Sequence, residues 1–164
     1  MSINQFGHLA FNCRHQQKSV AFYRDILGCK EKFSFSYTDF IGIVKNSDYK
    51  VPAFALKILE KKKDKTWLTY LEVADGVYIE LFDQMGAFLC HKAQPIHYNY
   101  QHFALIVDDI EKTKADLISK GVKIDIDINF GPDYTYQMWI HDPDGNKIEI
   151  MQYTDKSYQV VGKN

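Results

Sequence analysis

The chain has 164 residues, 46% apolar and 25% charged, which bounds it to one ordinary globular domain or two fused halves sharing a core. A formal net charge of −1 leaves no electrostatic case for nucleic acid or an anionic membrane surface as partner. The start Met1-Ser2-Ile3-Asn4-Gln5 lacks a secretion signal, no apolar run approaches the ~18 residues that span a bilayer, and Cys13, Cys29 and Cys90 show no pairing motif, so the expectation is a cytoplasmic protein with free thiols.

An apolar stretch from Phe6 to Phe11 predicts the first strand. From Gln16 to Leu27, the spacing of Val20, Tyr23, Ile26 and Leu27 predicts a helix with one buried stripe, stopped by Gly28. Lys30 to Ser36 places Glu31, Phe33 and Phe35 on one face of a half-buried second strand. In the segment from about Tyr37 to Lys65, Val51, Phe54, Ala55, Ile58 and Leu59 recur at helical spacing. With Pro52 near the first turn and Lys61, Lys62 and Lys63 at the negative end, this reads as an inserted amphipathic helix, and a strand over Phe54 to Leu59 is the competing reading. Trp67 to Val73 predicts a third strand, and the Asp75-Gly76 turn leads into a fourth, Val77 to Phe82. The first module thus spans residues 1–84, and residues 85–100 read as a linker.

The second module, residues 101–155, repeats the plan more compactly. Phe103 to Val107 predicts a strand; Asp108 or Asp109 caps a helix that turns Ile110, Leu117 and Ile118 inward and ends at Gly121. Val122, Ile124, Ile126 and Ile128 alternate with polar residues and predict a strand with one wet face. Tyr134 to His141 and Lys147 to Tyr153 predict a hairpin around Asp142-Pro143-Asp144-Gly145, whose residues suit a type I turn closed by a left-handed Gly. The tail, 156–164, is expected to be loosely held. The 11 Tyr and 11 Phe fit a β-rich core or an aromatic-lined pocket.

The modules share more than a plan. His8 opens His-Leu-Ala-Phe and His102 opens His-Phe-Ala-Leu, while Gly76 precedes Glu80 by four residues and Gly145 precedes Glu149 by four. Hairpins closing on those glycines place Tyr70 opposite Glu80 and Trp139 opposite Glu149, with Gln137 and Met151 paired one step along on the same face. Each carboxylate therefore sits in an apolar, aromatic setting, which is costly unless a cation or metal meets it. A lone His or Glu in a strand is ordinarily structural; the duplicated offsets point instead to His8, Glu80, His102 and Glu149 as a shared metal shell. His15, His91 and His97 read as surface or linker residues, and His141 as a marginal pocket candidate.

Gly7-His8-Leu9-Ala10-Phe11, Ala21-Phe22-Tyr23 with Leu27-Gly28, Tyr78-Ile79-Glu80-Leu81-Phe82, His102-Phe103-Ala104-Leu105 and Asp142-Pro143-Asp144-Gly145-Asn146 with Ile148-Glu149 together resemble the vicinal oxygen chelate superfamily. The resemblance covers about Phe6 to Tyr153 and implies an α+β fold, two tandem βαβββ modules forming curled mixed sheets around a metal cleft. The ligand pattern His, Glu, His, Glu is most similar to glyoxalase I. It implies one divalent ion (Ni, Zn, Co or Mn) and a small vicinal-oxygen substrate, such as a thiol hemithioacetal of methylglyoxal. The activity implied is that of a lyase or isomerase moving a proton next to a carbonyl through a metal-stabilised enediolate, with Glu149, then Glu80, as catalytic base. Tyr70, Gln137, Trp139 and Met151 would line the substrate pocket, and a homodimer is expected. Asn12 stands where glyoxalase I usually has Arg, and Gln84 where it usually has Asn, which leaves the thiol open. The alternatives are an extradiol-type dioxygenase using His8, His102 and Glu149, and a non-catalytic small-molecule binding or resistance protein.

Overall fold

The computed structural model describes residues 4–46, 52–84 and 100–163, so Val51, Cys90, His91, His97 and most of the linker lie outside the described residues. The chain divides into two compact units, Met1–Phe88 and Leu89–Asn164. Each holds one four-stranded mixed sheet with helices on it, the tandem βαβββ architecture expected. Among the described residues no helix is long and apolar enough to cross a membrane.

In the first unit β1 (His8–Cys13) runs into α1 (Gln16–Ala21), which continues as a π-helical segment (Phe22–Ile26). The strands β2 (Lys30–Ser36), β3 (Thr66–Ala74) and β4 (Val77–Asp83) complete the sheet in the order β1-β4-β3-β2. Only β1 and β4 are parallel: the helical crossover carries the chain from β1 to β2 at the far edge, and two antiparallel pairings, β2 with β3 and β3 with β4, return it beside β1. Val20, Phe22 and Tyr23 are buried on the helix side, with Leu71, Ile79 and Leu81 of the sheet. Gln16 sits beneath them and donates from Nε2 to the Leu81 carbonyl at 2.8 Å. Ile26 and Leu27 are only half-buried, unlike the stripe expected, since the wider π turn rotates the helix face at its end.

Among its described residues the segment 37–65 holds two helices, not one: α2 (Tyr37–Lys45) and α3 (Ala53–Lys61). Ser36 and Asp39 form a reciprocal capping box at the start of α2, Asp39 N–H donating to Ser36 Oγ at 3.1 Å and Ser36 N–H to Asp39 Oδ2 at 2.7 Å. Tyr37, Ile41 and Leu59 make a small core, joined by Phe40, Leu56 and Trp67. The stretch that also fitted a strand is α3, but its buried face differs from the one expected: Leu59 is buried while Phe54 and Ile58 are exposed. The Tyr37 hydroxyl donates to Asp83 Oδ2 at 2.6 Å and Lys62 Nζ to the same oxygen at 2.9 Å, tying the insert to β4.

In the second unit β5 (Phe103–Ile106), β6 (Ile126–Phe130), β7 (Tyr136–His141) and β8 (Lys147–Gln152) form a sheet in the order β5-β8-β7-β6. The helix α4 (Ile110–Ser119) is capped by Asp109, whose Oδ1 accepts from Lys112 N–H at 2.9 Å. It buries Ile110 and Leu117 on the side of Met138, Ile140, Ile148 and Ile150; Ile118 lies one step round and is exposed. The strand expected over Val122 to Ile128 forms only from Ile126, with an irregular register on β7, because alternation sets facing but not pairing. The tail is held more firmly than expected. Ser157 is buried, its Oγ donates to the Tyr134 carbonyl at 2.8 Å, and α5 (Tyr158–Val161) follows.

The hairpin between β7 and β8 is the turn read from the sequence. Gly145 has φ 88° and donates to the Asp142 carbonyl at 3.0 Å, while Asp142 N–H donates to the Asn146 carbonyl at 3.0 Å. The buried Asp142 carboxylate accepts Asp144 N–H at 2.9 Å, Asn146 N–H at 2.8 Å and the Asn146 amide at 2.8 Å.

Candidate metal centre

In the first unit the parallel pairing sets Ala10 beside Glu80, so His8, two residues earlier, shares Glu80's face. His8 Nε2 lies 3.5 Å from Glu80 Oε2. Tyr70 stands directly across from Glu80, as the turn predicted, and its ring meets His8 edge-on at 6.1 Å. Phe33 stacks on Tyr70 at 4.4 Å and Tyr78 meets it edge-on at 6.0 Å.

The second unit repeats this arrangement. Ala104 pairs with Glu149, and His102, just ahead of β5, brings Nε2 to 3.2 Å from Glu149 Oε2. Trp139 stands across from Glu149 and meets the His102 ring edge-on at 4.8 Å. Met151 is buried beyond Glu149, paired with Gln137, whose Nε2 donates to Asn129 Oδ1 at 2.9 Å. Lys147 lies two residues before Glu149, and its Nζ sits 3.9 Å above the centroid of Trp139.

Glu80 and Glu149 are each 7% exposed. Burial pushes the Glu149 carboxyl above the ordinary carboxylate range, and the charge of Asp133 adds to this; His102 and Lys147 pull the other way. The His102 Nδ1 atom is buried without a hydrogen-bond partner among the described residues.

The donor spacing fits a metal. Imidazole N and carboxylate O at about 2.0–2.2 Å from a divalent ion stand about 2.8–3.6 Å apart as neighbours in its shell. The 3.5 Å and 3.2 Å separations both fall within that interval, and both are long for a strong charge-assisted hydrogen bond. Among the described residues no three His, Cys, Asp or Glu side chains gather, and each module brings together one His and one Glu.

The sequence reading missed Phe33, Tyr78 and Lys147 as neighbours of these pairs, although strand alternation puts Tyr78 and Lys147 on the faces of Glu80 and Glu149. His141, the marginal candidate, is exposed and paired through Nδ1 with Asp125.

The family described as Glyoxalase/Bleomycin resistance protein/Dioxygenase superfamily matches residues 5–150. Among curated proteins none matches the sequence. Solved structures share the fold at low identity. Lactoylglutathione lyase from Agrobacterium tumefaciens is 18% identical, with 93% of this chain and 96% of that one covered and a TM-score of 0.58. A glyoxalase/dioxygenase from Nostoc punctiforme is 20% identical over 92% of each chain, with a TM-score of 0.60. TioX from Micromonospora sp. ML1 is 9% identical, over 92% of this chain and 100% of that one, with a TM-score of 0.58.

Proposed function

Because the chain belongs to the Glyoxalase/Bleomycin resistance protein/Dioxygenase superfamily, we propose that it is a metal-dependent lyase or isomerase of glyoxalase type. It acts on a small substrate with vicinal oxygens. The observation that carries this reading is the duplicated His–Glu pair, set at 3.5 Å and 3.2 Å on matching strands of two modules. We assign His8, Glu80, His102 and Glu149 to one divalent ion (Ni, Zn, Co or Mn), the two modules being supplied by one chain or by two chains of a homodimer.

When bound, such an ion polarises a substrate carbonyl and so acidifies the adjacent C–H. Glu149 takes that proton and returns it to the neighbouring carbon, the work of a positioned general base. Its strand is anchored by the Asp142 turn, and the buried Met151 and the Trp139 ring keep water from its face. Glu80 is the second choice for the same role. Tyr70 and Trp139 would hold the substrate's apolar flank, and Gln137 would offer an amide to its polar edge. The fold shared with lactoylglutathione lyase makes a hemithioacetal of methylglyoxal the first substrate to try, with several thiols because of Asn12 and Gln84.

Metal analysis of the purified protein is the first experiment. Wild type is expected to hold about one ion per four-ligand shell, and His102→Ala and Glu149→Ala to lose it. Unchanged metal content in both variants would refute the assignment.

A further inference from the structure

Lys147, beside the second pair, has no charged counterpart in the first module. Its place, two residues before the Glu, is held in the first module by the uncharged Tyr78. The Lys147 backbone is fixed by pairing with His141 and by the Tyr100 hydroxyl, which donates to the Lys147 carbonyl at 2.7 Å. Its side chain lies across Trp139, the ring that also meets His102. A cation over an indole face is attracted by the ring, but its charge is not neutralised. Like most of the described lysines, Lys147 has no carboxylate within 4 Å among the described residues; its place is set apart by the Trp139 ring beneath it, which also meets His102 beside Glu149.

We propose that Lys147 is a specificity-determining anion anchor, and that the substrate carries a carboxylate remote from its vicinal oxygens. This rests on the reading of the site given above. The neighbouring cross-strand His141 is already paired with Asp125, so Lys147 presents a single positive charge. That suits a carboxylate better than a phosphate, which carries nearly two negative charges at neutral pH. Residues two apart on a strand are about 6.6–6.8 Å apart. Lys147 and Glu149 share one face of β8, so an anion held by Lys147 lies on the side of the sheet where Glu149 acts. The same side chain could instead serve only to offset the charge of Glu149, and the two roles separate experimentally.

The probes are 2-oxoglutarate and 2-oxopentanoate, which share chain length and vicinal oxygens and differ in the distal carboxylate. Calorimetric titration of metal-loaded and metal-free protein is expected to show 2-oxoglutarate bound about tenfold or more tightly, the scale of one charge-assisted hydrogen bond. Lys147→Met keeps the apolar stem over Trp139 and should bring 2-oxoglutarate down to the level of 2-oxopentanoate, leaving the latter unchanged. Lys147→Arg should keep the preference. Equal affinities in wild type, absence of binding by either probe, a preference that survives Lys147→Met, or equal weakening of both probes by that variant would each overturn the proposal. Metal content of the same samples tests the His–Glu assignment separately. A protein that takes up no ion but keeps a Lys147-dependent preference retains the anchor and loses the metal.

Discussion

Replacing Asp142 by alanine tests whether the turn between β7 and β8 holds Glu149 in place. The Asp142 side chain accepts three hydrogen bonds of 2.8–2.9 Å while 6% exposed. Hydrogen bonds to a charged group are worth about 1.5–3 kcal/mol each, which sets an upper bound of about 5–9 kcal/mol for the three. Pro143 and Gly145 are exposed, so water can reach the freed N–H groups in the variant, and a loss of about 3 kcal/mol is expected. Asp142→Asn is the control. Its amide oxygen can still accept both backbone N–H groups, and only the bond from the Asn146 amide is lost, so about 1 kcal/mol should go. Urea unfolding followed by circular dichroism gives both values. The β7–β8 register also puts Trp139 opposite Glu149, so metal affinity should fall in the same order as stability. An Asp142→Ala protein within 0.5 kcal/mol of wild type, a margin typical of neutral surface changes at about that size, would refute the role given to the turn.

Glu149→Gln should retain much of the metal, since an amide oxygen can coordinate, yet lose solvent deuterium exchange at the substrate carbon by about 10² or more; exchange at the wild-type rate would move the base to Glu80. Burial pushes the Cys29 thiol up to about 11, above its ordinary range. A folded-state pKa above the unfolded one means stability held below pH 9 and lost as pH rises toward 11, by about 2–3 kcal/mol. Cys29→Ala should remove that share of the alkaline decline in a urea series at pH 8 and pH 11, and an unchanged decline would count against it. Light scattering at micromolar concentration should give a homodimer; a monomer would confine the proposed shell to the modules of one chain.

The parts of the site legible in the sequence were those fixed by local chemistry. Gly76 and Gly145, both with positive φ, determine the turns and therefore that Tyr70 faces Glu80 and Trp139 faces Glu149. Asp109 and Gly121 bracket α4 for the same reason. Features depending on distant partners were missed. Alternation over Val122 to Ile128 is genuine, but β7 pairs with it regularly only in part. The tail is held because Tyr134 turns its carbonyl toward Ser157, a contact across 23 residues that no local pattern signals. The start of α2 was legible and overlooked, since Ser36 and Asp39 have the spacing of a capping box.

Ser36 and Thr66 are register partners, so the chain leaves the first sheet and re-enters it at one spot after the 29 residues 37–65. The matching detour in the second sheet, between the partners Phe130 and Tyr136, takes the five residues 131–135. Lengthening a closed loop by that ratio adds only about 1.6 kcal/mol of closure entropy. The contacts of Tyr37, Ile41 and Leu59, with the clasp of Tyr37 and Lys62 on Asp83, can readily offset a sum of that size. The insert is thus a cassette hung from a hairpin: it can be spliced out or exchanged at Ser36 and Thr66 while β2 and β3 keep the alignment that sets Phe33 on Tyr70.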